Sequence, residues 1–153
     1  MTKQWWLAVA GTFAMPAFAC DELTVADAWV RLAPPTAPVM AGYLTLANTG
    51  KDPVTLRGGS SADFERVELH NMTHENGVMQ MRKLDAIDVP PGGEVALAPG
   101  GMHLMLIGPK HSFAAGDQIE IVLQVCDGQQ QTVSLPVREA APAAADEHSQ
   151  HSP

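Results

Sequence analysis

Between residues 20 and 138 the chain alternates apolar and polar positions in short runs, and nowhere does it sustain an apolar repeat of three to four residues. An alternation of period two marks a strand with one covered face, because successive side chains leave opposite sides of the pleat. The runs predict strands over residues 23–31, 41–47, 54–57, 65–73, 78–84, 94–97, 103–107, 118–126 and 131–137. Between them fall "NTGKDP", "HENG", "PPGG", "APGG" and "CDGQQ", whose Gly, Pro, Asn and Asp residues supply turn backbone. Short strands at this spacing predict an all-β fold, a Greek-key barrel or sandwich.

The two ends break the pattern. "MTKQWWLAVAGTFAMPAFAC" offers Lys3 as a basic start, an apolar run from Trp5 to Phe18 and Ala17-Phe18-Ala19 as a small-x-small cleavage site, so residues 1–19 read as a secretory signal peptide. The run is short for a membrane span and is interrupted by Gly11 and Pro16; a retained N-terminal anchor is the competing reading. At the other end "EAAPAAADEHSQHSP", residues 139–153, is rich in Ala and Pro without apolar anchors and reads as a disordered tail. One domain, residues 20–138, is left, and the mature chain is expected outside the cytoplasm with no membrane span.

Export changes the meaning of the two cysteines, Cys20 and Cys126. In an oxidising compartment the pair can close a disulfide between the first strand and a late hairpin. Cys20 is alternatively a lipid acceptor, although Phe18 is bulky for that signal, and free thiols are the third reading. The formal charge of -8 leaves no basic stripe to displace counterions from a phosphate backbone, which argues against nucleic-acid binding. An enzyme is not indicated either. There is no G-x-S-x-G element, no phosphate-binding glycine loop and no histidine-rich metal set with an open position for water.

Candidate chemistry concentrates in "LHNMTHENGVMQMR", residues 69–82. Alternation sends Val67 and Leu69 toward the core and Glu68, His70 and Met72 to the other face. A two-residue turn at Asn76-Gly77, a natural place for positive φ, sets Met72 opposite Met81 and His74 opposite Met79, with His70 a diagonal neighbour of Met81. In "GGMHLMLIG", residues 100–108 carry the same logic: His103 and Met105 share one face, while Met102, Leu104 and Leu106 take the other. Two segments thus each present imidazole beside thioether.

Neutral, soft thioethers favour Cu(I), and imidazole suits copper as well, whereas zinc asks for thiolate or more imidazole and calcium for oxygen. Taken singly, a strand methionine is core filler and a strand histidine a solvated surface residue; two same-face pairs together point to monovalent copper. Four neutral ligands leave the loaded site at +1, a charge costly to bury, so the site is expected at the rim. A blue-copper electron-transfer site needs a Cys thiolate among histidines, and Cys126 before "DGQQ" does not supply one.

His70, Met81, His103 and Met105 reproduce the spacing H-x10-M-x21-H-x-M, and the chain thereby resembles the periplasmic copper chaperones called PCu(A)C. "DAWVR", "AGYLTLANTG", "ERVELHNMTHENGVMQMR" and "LAPGGMHLMLIG" extend the likeness over nearly the whole domain. The resemblance implies a cupredoxin-like barrel that binds Cu(I) near its surface through those four residues. It further implies a metallochaperone delivering copper for assembly of cytochrome c oxidase, with the copper-bearing oxidase subunit and Sco-type thiol proteins as partners. Met72 matches a methionine often found beside the first histidine and is an auxiliary ligand on that basis. In the tail His148 and His151 stand near Asp146 and Glu147, a set suited to a second, weaker Cu(II) site, or simply a solvated terminus. His74 and His111 have no part in the signature and read as surface residues, with assistance in metal transfer as the alternative. Copper buffering without a dedicated target is the rival function, and a β-sandwich adaptor with incidental methionines is a second.

Overall fold

The computed structural model describes residues 22–126 and 128–139. The leader expected over 1–19, Cys20, and the tail beyond Glu139 with His148 and His151 lie outside them. Ten strands follow in order: β1 (Leu23–Arg31), β2 (Val39–Asn48), β3 (Val54–Ser60), β4 (Phe64–Glu75), β5 (Val78–Leu84), β6 (Ile87–Val89), β7 (Glu94–Leu97), β8 (Met102–Pro109), β9 (Gln118–Val125) and β10 (Gln129–Arg138). All nine expected strands are present. β6 is the addition: three residues are too few for alternation to show, yet Ile87 and Val89 are buried, Asp88 faces water, and the strand pairs with β3. No helix among the described residues is long and apolar enough to cross a membrane.

Neighbouring strands run β4-β8-β2-β1-β10-β9-β3, and a β3–β4 pairing at Gly59 and Val67 closes this path into a barrel of seven strands. Only the β1–β10 pairing, Val30 beside Val137, is parallel. Closure leaves no free ladder edge in the ring, and β5, β6 and β7 attach outside it to β4, β3 and β2. Gly59 also lets β3 lie close against β9, since a Cβ there would stand 2.9 Å from the Val122 carbonyl oxygen. The interior is filled by alternate residues such as Val30, Leu44, Leu56, Leu104, Ile121 and Leu135, each at most 1% exposed.

One buried polar group holds a turn in place. Asn48 donates to the carbonyls of Asp52 (2.7 Å) and Val89 (3.1 Å) while its side-chain oxygen accepts from the Gly50 amide (2.9 Å). All three bonds satisfy a side chain that is 1% exposed.

β4 positions the site because it is longer than its neighbour. Its ladder with β8 runs from Phe64 opposite Pro109 to Asn71 opposite Met102 and ends there. The Met72 amide still donates to the Gly101 carbonyl (3.2 Å), and Thr73 to Glu75 then pair only with β5. At about 3.3 Å per residue this two-stranded ribbon extends roughly 10 Å beyond the barrel wall.

Candidate metal centre

Register brings the two donor-bearing segments together. β4 lies beside β8 with His70 directly opposite His103 and Glu68 opposite Met105. β5 lies on the other side of β4, with Met72 opposite Met81 and His74 opposite Met79. Asn76 (φ 53°) and Gly77 (φ 78°) both adopt the left-handed backbone that a type I′ turn requires, which fixes this pairing. Leu69, Leu104 and Leu106 point into the barrel, so His70, His103, Met105, Met72 and Met81 share the opposite face of three adjacent strands.

Hydrogen bonds set which nitrogen each ring presents. His70 Nε2 lies 3.0 Å from a Glu68 carboxylate oxygen, and His103 Nδ1 lies 3.1 Å from the Gly101 carbonyl oxygen. Both oxygens only accept, so each facing nitrogen carries the proton, and the neutral ring keeps its lone pair on the other one. His70 Nδ1 is that other nitrogen, and it is buried without a hydrogen-bond partner. His103 is free to present Nε2. An imidazole tied through N–H to a carboxylate or carbonyl, with its second nitrogen unclaimed, is the usual arrangement of a metal-binding histidine. The ring centroids are 6.0 Å apart, and with metal–nitrogen bonds of about 2 Å one ion fits between the two rings.

Sulfur lines the opening. A cleft of about 210 Å³ is bounded by Met81, His103 and Met105 together with Arg31 and apolar residues of β2. Exposure rises outward: His103 is 6% exposed, Met105 is half-buried and Met81 is 49% exposed. Such a gradient suits an ion held at the rim, with nitrogen at the bottom and mobile thioether at the mouth. Met72 is half-buried across the ladder from Met81, on the strand that lies between β5 and β8.

Sequence reasoning passed over Glu68. Its alternation already put it on the face of His70, but a carboxylate on a strand reads as ordinary solvated surface until the register places it opposite Met105. It also meets Lys83 Nζ at 3.1 Å. Hydrogen bonds from His70 first and Lys83 second hold the Glu68 carboxyl below the usual carboxylate range, so it stands as an anion beside the His70 ring. His74 is exposed on the ribbon. His111 is exposed elsewhere, bound to Asp63 at 3.1 Å.

The model of the family described as "Putative lipoprotein LpqE-like" matches residues 23–137. The chain belongs to this family, which is that of the PCuAC domains. Among curated relatives, putative lipoprotein Lxx21020 of Leifsonia xyli is 31% identical over 125 residues, covering 81% of this chain and 74% of that one. The uncharacterized protein RP573 of Rickettsia prowazekii is 32% identical over 128 residues, covering 76% and 71%. Two solved PCuAC structures share the barrel. The copper-bound PCuAC domain from PmoF2 superposes with a TM-score of 0.65 at 25% identity, covering 78% of this chain and 94% of that one. The Cu(I) form of DR1885 from Deinococcus radiodurans gives 0.62 at 28%, covering 85% and 83%. The cupredoxin-like all-β class expected from the sequence is therefore the class observed.

Proposed function

We propose that this PCuAC protein is a copper chaperone that carries Cu(I) on His70 Nδ1, His103 Nε2 and the thioethers of Met81 and Met105. The observation that carries this reading is the buried, unpartnered His70 Nδ1 on the same face as His103, in a molecule whose structural neighbours include copper-bound and Cu(I)-loaded PCuAC forms. Two imidazoles and two thioethers form a soft, neutral set that favours the monovalent ion. Handover follows from exposure. Met81 at the mouth is a weak, accessible ligand, so an acceptor's donor displaces it first while the histidines still hold the ion from below.

The reading extends to export into the periplasm and to delivery toward the copper-bearing subunit of cytochrome c oxidase, with Sco-type proteins as co-workers. The protein acts by ligand exchange rather than by catalysis. A second, weaker Cu(II) site at His148 and His151 and a Cys20–Cys126 disulfide belong to the same proposal, although Cys20 and both tail histidines lie outside the described residues.

Replacing both Met81 and Met105 with Leu tests the assignment. The volumes are similar, so the fold is expected to persist. Cu(I) affinity in an anaerobic competition titration is expected to fall by more than the roughly hundredfold that loss of an outer-shell partner costs. An unchanged affinity contradicts the ligand set. Gene deletion separates delivery from buffering: delivery lowers oxidase activity at ordinary copper supply, whereas buffering lowers copper tolerance and leaves the oxidase intact.

A further inference from the structure

The donor stripe does not stop at the four residues of the centre. Two-residue alternation on β4 puts His74 on the same face as His70 and Met72, and β5 puts Met79 on the same face as Met81. In a two-residue hairpin the pair flanking the turn is hydrogen-bonded, so His74/Met79 and Met72/Met81 fall at the alternate, non-hydrogen-bonded rungs. There Cα atoms are only about 4.5 Å apart and side chains lie closest.

Three observations single out the outer rung. Met79 is 56% exposed at the ribbon tip, past the bond from the Met72 amide to the Gly101 carbonyl that ties β4 to the segment before β8. Among the described histidines, His70, His103 and His111 each engage a ring nitrogen in a hydrogen bond. His74 engages neither of its own, and it faces water. A large thioether standing in solvent directly across from an uncommitted imidazole contributes nothing to the core.

We infer that the ribbon tip is a second soft-metal site, made by His74, Met79 and Met72, through which monovalent copper enters and leaves the inner centre. This rests on the function proposed above and adds a route to it. Successive rungs on one face are about 7 Å apart, and Met81 lies one rung in from Met79 and borders the inner cleft. Transfer inward is a ligand exchange: the Met81 sulfur–copper bond forms as the Met79 sulfur–copper bond breaks, followed by His103 replacing His74. All donors are neutral lone pairs, so copper stays monovalent and no proton or electron moves. The tip holds the ion less firmly because its ligands are exposed and His74 lacks the hydrogen-bonded partner that orients His70 and His103.

Silver(I), a soft monovalent ion without accessible redox chemistry, is the probe, added to the full chain in chloride-free buffer. Imidazole and methionine-methyl resonances are followed by NMR. The first equivalent is expected to shift His70, His103 and Met105, and the second to shift His74, Met79 and Met72. In the double variant His74→Ala, Met79→Leu the first event is expected unchanged within a few-fold in affinity and the Met72 response to the second equivalent lost. The inference is overturned if His74 and Met79 stay still at two equivalents, or if Met72 still responds in the variant. A first equivalent that leaves His70 and His103 unmoved overturns the chaperone reading itself, whereas a normal first event without a second removes only the tip site.

Discussion

The barrel interior and the β4–β5 ribbon are built from one alternating code and come to opposite ends. Inside the ring, alternate positions carry aliphatic side chains that are sealed from water, with Leu104 and Leu106 at 0% exposure. On the reverse face of the same strands, and outward along the ribbon, the alternate positions carry His70, Met72, His74, Met79, Met81, His103 and Met105. Period two decides only which face a residue takes; residue chemistry decides whether that face packs or binds. His103, Leu104 and Met105 compress the lesson into three consecutive positions, two lining the cleft and one facing the core. The wall and the ribbon also differ in exposure: the wall fixes His70 and His103 in place, and the ribbon leaves the thioethers of Met79 and Met81 in water.

Cutting the packed side should show most strongly. Leu104→Ala empties part of the interior and is expected to cost about 2–5 kcal/mol of stability, read by chemical denaturation. Copper stoichiometry measured under folding conditions should stay as in the parent protein. If the cavity abolished binding while the barrel remained folded, the two faces would not be separable in the way described.

The converse substitution strikes the donor face and spares the core. Glu68→Gln keeps an acceptor beside His70 but removes the charge that supports its Nε2–H, and Cu(I) affinity is expected to fall roughly ten- to hundredfold. Melting temperature should move little, since the ion pairs of Glu68 with the exposed Lys83 and Arg66 are weak contributors. An unaltered affinity would reduce Glu68 to surface.

The smallest effect belongs to His111, which lies on neither side of the comparison. Its hydrogen bond to Asp63, and next that to the Ser112 carbonyl, raise its pKa above the ordinary value of about 6.5. A raised folded-state pKa gives stabilisation that is complete below the unfolded value and disappears as pH climbs through the folded one. His111→Gln should therefore lower the melting temperature more at about pH 5 than at about pH 8.5, with copper affinity untouched. A pH-independent difference would show that the Asp63 contact does not hold a proton on the ring.

The strands were legible because alternation is local. So was the hairpin, whose register follows from Asn76-Gly77 alone. Closure was not, for it depends on β3 meeting β4 through Gly59, a contact no short window contains. The three-residue β6 escaped because its burial comes from β3 and from the Asn48 bond to Val89 rather than from its own pattern. At the site, spacing and resemblance named four residues, but neither revealed that His70 stands directly opposite His103, nor which nitrogen each ring leaves free. Those features depend on how two strands some thirty residues apart slide against each other, and with them came the role of Glu68.

The central claim is that nitrogen from β4 and β8 and sulfur from β5 and β8 converge on one monovalent copper ion. Copper-edge X-ray absorption on the protein loaded anaerobically with one equivalent of Cu(I) counts those neighbours directly. Two nitrogen and two sulfur scatterers are expected, with the sulfur shell lost in the Met81→Leu, Met105→Leu variant. A first shell of nitrogen and oxygen alone in the parent protein would contradict the account.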